Sequence, residues 1–194
     1  RYDDCAGVVL SDPEAAKYIT GVGYQWDGKH AIATTAAKHP GVRLMQTESE
    51  CGGSENNLKA ALYTYSLVDH YFKAGANSYM YWNMILDRSG LSTWGWPQNS
   101  MISINRSTRE VSYNMEFYVM KHFAHFVKSG ASRLLTKGYD ENLLAFINPD
   151  KKIVVVLMND TQFGKTYTVK VGDEMFEAEV PAFSFNSFVV NKNQ

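Results

Sequence analysis

Cysteine is scarce in this sequence, which holds only Cys5 and Cys51 among 194 residues. Small secreted domains that cannot build a large core rely on several disulfide bonds, and two cysteines exclude a framework of that kind. Their spacing leaves two interpretations open, a single bridge or two free thiols. The fold must therefore rest on a hydrophobic core, for which 45% apolar residues provide enough material.

The sequence also lacks a charge excess and a long apolar run. Lysine and arginine total 19 against 20 acidic residues, which gives a formal net charge of −1. Proteins that bind nucleic acid or anionic lipid neutralise phosphates with clustered basic residues, so neither partner is expected. No stretch reaches the roughly 18 apolar residues of a membrane span, and the first residues do not resemble a signal peptide.

Short apolar runs alternate with helical patterns over residues 1–130. The pattern predicts strands at residues 19–26, 43–48 and 76–82, and helices at residues 31–38, 57–73 and 115–127. Strands and helices in alternation are typical of parallel strands joined by crossover helices. No glycine-rich phosphate loop follows any of these strands, which disfavours a nucleotide-binding sheet.

Beyond Gly130 the pattern changes to short strands separated by tight turns. Strands are predicted at residues 143–147, 153–158, 166–171, 175–180 and 184–190, with turn residues such as Asn148-Pro149-Asp150 between them. The sequence therefore predicts an antiparallel β-sandwich over residues 131–194, after an α/β domain over residues 1–130.

Chemically reactive side chains gather at the carboxyl ends of the three predicted parallel strands. These ends read Tyr24-Gln25-Trp26-Asp27, Gln46-Thr47-Glu48-Ser49-Glu50 and Tyr81-Trp82-Asn83. In (β/α) barrels this end of the strands carries the catalytic residues, because the strand-to-helix loops meet there. A carboxylate between tryptophan-bearing strand ends suits glycoside hydrolysis, which needs a nucleophile, a stacking wall for a sugar and amides that bind hydroxyls.

Four stretches of the chain resemble glycoside hydrolase family 30, the family of lysosomal glucosylceramidase. They are Val9-Leu10-Ser11-Asp12-Pro13-Glu14-Ala15-Ala16-Lys17-Tyr18, Leu44-Met45-Gln46-Thr47-Glu48, Trp82-Asn83 with Trp94 twelve residues on, and Gln98-Asn99-Ser100-Met101-Ile102. The resemblance implies a (β/α)8 TIM barrel with an attached β-sandwich. The three predicted parallel strands would be the last three of that barrel.

The resemblance also implies the catalytic residue. The family's nucleophile is the glutamate that ends the seventh strand, in a Ser/Thr-Glu pair that corresponds to Thr47-Glu48. Strand alternation alone cannot separate Glu48 from Glu50, which is expected to contact substrate or to form a hydrogen bond. The family's acid/base glutamate ends the fourth strand and would lie upstream of Arg1. The isolated chain is therefore expected to be inactive, and activity is expected only of a full-length protein that includes the upstream strands.

Substrate contacts follow from the same resemblance. Trp82 corresponds to the tryptophan on the floor of the family's sugar pocket, and Trp26 corresponds to a residue of its wall. Asn83, Gln25 and Trp94 are further candidate contacts. For the tryptophans the alternative is packing, in the barrel core or within a variable loop.

No metal or organic cofactor is implied. His122 and His125 lie three residues apart on a predicted helix, but no third ligand and no HExxH pattern accompany them. They are interpreted as packing or surface residues.

The expected function is that of a retaining β-glycosidase acting on a β-linked glucoside or glucan, as a glucosylceramidase-like enzyme of sphingolipid metabolism would. An endo-β-1,6-glucanase or a β-xylosidase is the alternative within the family. A non-catalytic carbohydrate-binding protein is the alternative from another class, should the 194 residues be the whole protein. The resemblance implies a secreted, periplasmic or lysosomal location, and no oligomeric state is indicated.

Overall fold

The computed structural model describes residues 2–191 and divides the chain into two compact units. The first comprises Arg1–Asn56 and Ser66–Asn114, and the second comprises Asn57–Tyr65 and Met115–Gln194. Cys5, which is exposed, and Cys51, which is buried, are not joined by a disulfide bond, so the single-bridge interpretation is wrong. Within the described residues, no helix is long and apolar enough to cross a membrane.

The first unit opens with two helices that the sequence pattern did not predict, α1 (Tyr2–Ser11) and α2 (Pro13–Ala16). Asp12 is the single residue between them, and its Oδ1 accepts hydrogen bonds from the backbone N–H groups of Glu14 and Ala15, at 2.8 and 3.3 Å. This cap, followed by proline at the first helical position, starts α2 at Pro13.

Parallel strands and crossover helices follow, as predicted. The order is β1 (Gly21–Gln25), a 3-10 turn (Trp26–His30), α3 (Ile32–Lys38), β2 (Arg43–Glu48), α4 (Leu58–Lys73) and β3 (Ser78–Tyr79). The sheet order is β1-β2-β3, with both pairings parallel. β3 is shorter than the predicted strand, because only Ser78 and Tyr79 pair with β2.

The core of this unit lies between the sheet and its helices. It is formed by buried side chains from the strands, the helices and the segment before β3, namely Tyr24, Ala31, Ile32, Leu44, Tyr71 and Ala76. The Tyr24 hydroxyl donates a hydrogen bond to Thr35 Oγ1, also buried, at 2.5 Å. Burying a hydroxyl without a hydrogen-bond partner would destabilise the fold. This bond satisfies both hydroxyls and connects β1 to α3.

Three short strands follow β3 where the sequence predicted only a loop. They are β4 (Ile85–Asp87), β5 (Ile102–Ile104) and β6 (Val111–Tyr113), in the order β4-β5-β6. β4 and β5 pair in parallel, and β5 and β6 pair antiparallel. Strands of three residues are too short to show an alternating pattern, which is why they were missed.

The second unit contains α5 (Met115–Phe126) and six strands. The strands are β7 (Ser132–Leu134), β8 (Leu143–Ile147), β9 (Ile153–Asn159), β10 (Lys165–Val171), β11 (Glu174–Val180) and β12 (Ser184–Val190). A four-stranded antiparallel sheet has the order β12-β9-β8-β7, and β10 pairs antiparallel with β11. The five predicted strands are present, and the three-residue β7 was missed.

Packing between the two sheets makes this unit a β-sandwich. All seven residues of β9 are buried, and Val169 and Val171 of β10 pack against a cluster formed by Ala145, Ile153 and Val155. Tyr65 of α4 is fully buried in the same unit. Its hydroxyl is hydrogen-bonded to the carbonyl oxygens of Asn142 and Val156, at 3.1 and 2.9 Å.

His122 links α5 to the sandwich and gives its stability a pH dependence. Its Nδ1 lies 2.8 Å from Ser187 Oγ on β12. Burial, with a smaller effect of the Lys121 charge, lowers the pKa of His122 below its ordinary value. The folded state thus disfavours the charged imidazolium, so the free energy of unfolding falls as the pH drops from about 6.5, the unfolded value, through the lowered folded pKa.

We expect His122→Asn to flatten this dependence, because asparagine cannot take up a proton. Thermal unfolding of the full-length protein at about pH 7.5 and about pH 5 measures the effect. His125→Asn, which changes an exposed histidine on the same helix, is the matched control and should keep the wild-type dependence. Wild-type pH dependence in His122→Asn would contradict this account.

Candidate active site

The site begins at a register shift between β1 and β2. Tyr24 pairs with Gln46, but the next residue, Gln25, pairs with Glu48, so that Thr47 is left out of the ladder. A bulge of this kind re-aims the side chains that follow it. Gly23 accommodates Thr47, since a Cβ on Gly23 would lie 3.0 Å from the Thr47 side chain. Glu48 thus ends β2 directly beside Gln25.

Glu48 is half-buried, and a neighbouring tryptophan fixes one of its oxygens. The Trp26 indole N–H donates a hydrogen bond to Glu48 Oε1 at 2.7 Å. Trp26 adopts a positive φ of 48°, a left-handed conformation that costs a non-glycine residue about 1–2 kcal/mol. Its side chain remains 44% exposed. Backbone strain of this kind clusters at functional sites, and here it turns the indole toward the carboxylate.

Glu50 has a different environment from Glu48. It forms an ion pair with Lys29, in which the side chains of Lys29 and Glu50 are only 15% and 27% exposed. Of the two outcomes predicted for Glu50, substrate contact or a protein hydrogen bond, the structure shows the second. Substrate contact by Glu50 stays a prediction.

The segment that carries both glutamates is held by a buried amide. Gln46 is fully buried, its Nε2 donates to Ser49 Oγ at 2.9 Å, and its Oε1 accepts from the backbone N–H of Met80 at 2.7 Å. The side chain therefore joins the end of β2 to the end of β3. Sequence reasoning missed this role, although an amide in strand register with the apolar Leu44 signals a buried polar contact.

The pKa of the Cys51 thiol is affected by both carboxylates, Glu48 and Glu50. Burial raises the pKa of its thiol above the ordinary value, and the negative charges of Glu48 and Glu50 raise it further, against a backbone hydrogen bond that lowers it. The two carboxylates therefore act on one small region. The backbone carbonyl of Cys51 accepts a hydrogen bond from Asn99 N–H at 2.7 Å, which ties this region to the loop after β4.

Trp82 and Asn83 follow β3, at the same edge of the sheet. Trp82 is 43% exposed, and the Trp82–Asn83 peptide bond is cis. Asn83 Nδ2 donates to Gln98 Oε1 at 3.0 Å and lies 3.4 Å from the carbonyl oxygen of Asn99. The exposed indole face is available to a ligand, whereas the amide nitrogen of Asn83 contacts the loop that carries Trp94.

Trp94 and Trp96 lie in a hairpin whose base is residues 90 and 98. Gln98 N–H donates to the Gly90 carbonyl at 2.9 Å, and Gly90 has a φ of +64° with the Gln98 carbonyl 2.4 Å from the position of a Cβ. The two indoles are 73% and 62% exposed, with ring centroids 6.3 Å apart and planes tilted by 37°. Trp94 is thus a surface residue on a braced loop.

A metal site is not evident in the part of the chain that the structure describes. Residues 2–191 contain no group of three or more His, Cys, Asp or Glu side chains that could hold a metal ion. The site is built from carboxylates, indoles and amides, and these groups suit sugar binding and nucleophilic attack.

The chain matches two sequence models of one family. The model described as the glycosyl hydrolase family 30 TIM-barrel domain matches residues 2–127, and the model described as the glycosyl hydrolase family 30 beta sandwich domain matches residues 130–188. The chain therefore belongs to glycosyl hydrolase family 30. Its fold is a portion of a TIM barrel followed by a β-sandwich, which confirms the fold class and the family resemblance.

Curated relatives carry glucosylceramidase names. Two Caenorhabditis elegans proteins with such names, numbered 1 and 2, are 32% and 30% identical to this chain, covering 87% and 88% of it and 35% and 36% of their own length. Lysosomal acid glucosylceramidase of Mus musculus is 27% identical, covering 95% of this chain and 39% of its own. The chain spans between 35% and 39% of the length of these relatives.

Two solved structures share the fold over nearly the whole chain. SrfJ from Salmonella typhimurium superposes with a TM-score of 0.90 at 22% identity, over 98% of this chain and 45% of that one. An endo-β-1,6-glucanase superposes with a TM-score of 0.85 at 25% identity, over 96% of this chain and 44% of that one. The likeness to SrfJ shows the fold alone.

We expect Gln46→Leu to destabilise the full-length protein by about 1–3 kcal/mol in free energy of unfolding, because the backbone N–H of Met80 and the hydroxyl of the buried Ser49 lose this partner. Denaturant unfolding measures the difference. Gln25→Leu, at the exposed end of β1, is the control and should lie within about 0.5 kcal/mol of wild type. Wild-type stability in Gln46→Leu would show that the amide is not the tie described above.

Proposed function

We propose that the full-length protein is a retaining β-glycosidase that hydrolyses β-glucosides, with Glu48 as the nucleophile. The observation that carries the proposal is the position of Glu48. Glu48 is half-buried at the end of the parallel strand β2, in a chain that belongs to a family of glycoside hydrolases. The Trp26 indole N–H donates a hydrogen bond to Glu48 Oε1 at 2.7 Å. With Oε1 held, Oε2 is the oxygen that attacks.

Hydrolysis would proceed by two displacements. The Glu48 carboxylate attacks the anomeric carbon, and the bond to the leaving-group oxygen breaks as a second carboxylic acid donates its proton to that oxygen. Water, deprotonated by the same second residue, then attacks the anomeric carbon and releases Glu48. The family resemblance implies that the second residue comes from an upstream strand, at about 5–5.5 Å from Glu48.

Aromatic and amide side chains at the same edge would bind the sugar. Trp82, with its exposed face, forms the floor of the pocket, and Trp26 forms part of its wall by stacking on the apolar face of a sugar ring. Gln25 is exposed beside Glu48 and can reach a sugar hydroxyl. Asn83 contributes its side-chain oxygen, since its nitrogen contacts Gln98.

A β-linked glucoside is the substrate class best supported by the relatives, which carry glucosylceramidase names. The name of the mouse relative, a lysosomal enzyme, supports a lysosomal location. A second candidate, an endo-β-1,6-glucanase, is favoured by the exposed Trp94 and Trp96 indoles, which offer stacking faces for a further sugar of a glucan. Activity toward glucosylceramide, an aryl β-glucoside, an aryl β-xyloside and β-1,6-glucan separates these candidates.

We also propose the domain division expected from the sequence, a barrel portion over residues 1–130 and a β-sandwich over residues 131–194. Family matches over residues 2–127 and 130–188 support a boundary in this region. The barrel portion would supply the chemistry, because Glu48, Trp26 and Trp82 all precede this boundary.

We expect Trp82→Ala to lower kcat/KM by about ten- to a thousandfold, because a stacking surface at the reacting sugar is lost. Steady-state kinetics with an aryl β-glucoside measure the change. Trp82→Phe keeps an aromatic face and should retain most of the activity. If Trp82→Ala has wild-type kinetics and a lowered melting temperature, Trp82 is a core residue and not a substrate contact.

We expect a slow-leaving 2-fluoro-glucoside to label Glu48 covalently, since only the nucleophile becomes bonded to the sugar in a retaining mechanism. Peptide mapping of the inactivated full-length protein identifies the site. Glu48→Gln keeps the shape but removes the anion, so turnover should fall at least about a thousandfold, equivalent to about 4 kcal/mol of transition-state stabilisation. Glu50→Gln, two residues on, is the matched control and should cost much less.

Azide offers an independent check. It should partly restore turnover to Glu48→Gly by entering the vacated space and should give a glycosyl azide of inverted configuration. Label on Glu50, or near-normal turnover in Glu48→Gln, would refute the assignment of Glu48. Sugar binding without any turnover or labelling would favour a non-catalytic carbohydrate-binding protein.

A further inference from the structure

Lys29 and Glu50 form an ion pair between the two segments that carry Trp26 and Glu48. Lys29 lies on the 3-10 turn Trp26–His30, and Glu50 lies two residues beyond Glu48. Both side chains are largely removed from solvent, at 15% and 27% exposure. Removing one partner of a partly buried pair leaves a charge without compensation, whereas removing both does not.

The pair is the second tie between these segments. The first is the hydrogen bond from the Trp26 indole to Glu48. The turn itself is anchored elsewhere, because the Lys29 carbonyl oxygen lies 2.8 Å from His70 Nε2 of α4, and the glutamate segment is anchored by the bond from Gln46 to Ser49. Neither of these anchors joins the two segments to each other, as the ion pair does.

The pair also sets the charge around Glu48. The negative charges of Glu48 and Glu50 both act on the Cys51 thiol, so the two carboxylates occupy one electrostatic neighbourhood. A second negative charge disfavours ionisation of the first. The Lys29 ammonium forms an ion pair with Glu50, so this second negative charge in the neighbourhood of Glu48 is neutralised.

We propose that Lys29 is a positioning residue for the nucleophile, which it serves by neutralising Glu50 and by holding the Trp26 turn against the Glu48 segment. This inference rests on the proposed function, in which Glu48 must be ionised to attack. Other titratable side chains on these elements are Asp27 and His30 on the turn, Cys51 beyond Glu50, and Lys59, Tyr63, Tyr65, Asp69, His70, Tyr71 and Lys73 on α4.

The proposal predicts that the two single variants shift the acidic limb of the kcat/KM pH profile in opposite directions. Lys29→Met removes the ammonium charge beside Glu50, and the remaining negative charge opposes ionisation of Glu48, so the acidic limb of kcat/KM moves to higher pH. Glu50→Gln removes the carboxylate charge beside Lys29, and the remaining positive charge favours the ionised Glu48, so the same limb moves to lower pH. A shift of about half a pH unit or more is expected in each direction. In the double variant both charges are gone, and the limb returns toward wild type.

The test is the pH dependence of kcat/KM for an aryl β-glucoside, measured on the full-length wild-type protein and on Lys29→Met, Glu50→Gln, the double variant and Lys29→Arg. Inactivation by a 2-fluoro-glucoside gives the rate of the first chemical step separately from binding. We expect Lys29→Met to slow that step about tenfold or more, with the double variant recovering most of the rate. Lys29→Arg keeps the charge and should stay within a few-fold of wild type.

The proposal would be overturned if the acidic limbs of the two single variants moved in the same direction. It would also be overturned if the 2-fluoro-glucoside inactivated the double variant no faster than Lys29→Met. Unchanged limbs in all variants would also overturn it, while a 2-fluoro-glucoside label on Glu48 would leave the proposed function standing. If Lys29→Met does not fold, the isosteric Glu50→Gln still decides, because its limb must move to lower pH.

Discussion

The pairing of β1 with β2 loses one residue from its ladder, and the side chains of the site depend on that shift. Had the register continued from Tyr24 and Gln46, Gln25 would have paired with Thr47, and Glu48 would have been carried beyond the end of β1. With Thr47 left out, Glu48 lies beside Gln25 and within reach of the Trp26 indole. The sheet therefore supplies the alignment, and the turn after β1 only has to present the tryptophan.

Polar contacts rather than apolar packing stabilise the edge of the sheet where these strands end. The amide of Gln46 connects β2 to β3, Cys51 connects the glutamate segment to Asn99, and Asn83 connects the end of β3 to Gln98. Each contact is directional, so it fixes orientation as well as distance. A pocket for a hydroxyl-rich ligand benefits from this, because its walls keep their geometry when water enters.

Long, periodic elements were predictable from the sequence, and local geometry was not. The boundaries of β2, β8 and β12 agree with the residue pattern, because each strand has five to seven residues and is paired at its first and its last residue. Strands β4, β5, β6 and β7 have three residues each, which is too few to show an alternating pattern. Helix α1 lies before the first element that the hydrophobic pattern predicted. Glu48 and Trp26 could be found from motifs, but the bulge at Thr47, the buried amide of Gln46 and the partner of Glu50 depend on contacts between segments distant in sequence. Contacts of this kind do not change the hydrophobic periodicity of the sequence, so they cannot be predicted from it.

The hairpin that presents Trp94 and Trp96 separates the part of the loop that must be kept from the part that can change. Its base is constrained by Gly90, where a Cβ would meet the Gln98 carbonyl at 2.4 Å, and by the bond from Asn83 to Gln98. At its tip, the side chains of Trp94 and Trp96 are exposed, whereas Gly95 has a φ of +81° that disfavours other residues although a Cβ would meet nothing within 4 Å. The two tryptophans, unlike Gly90 and Gly95, can therefore be exchanged during evolution or by design without backbone strain. Under the proposed function, substrate range would depend on the tip of the loop and bond breaking on the strand ends, so related enzymes could diverge in specificity while their reaction stays the same.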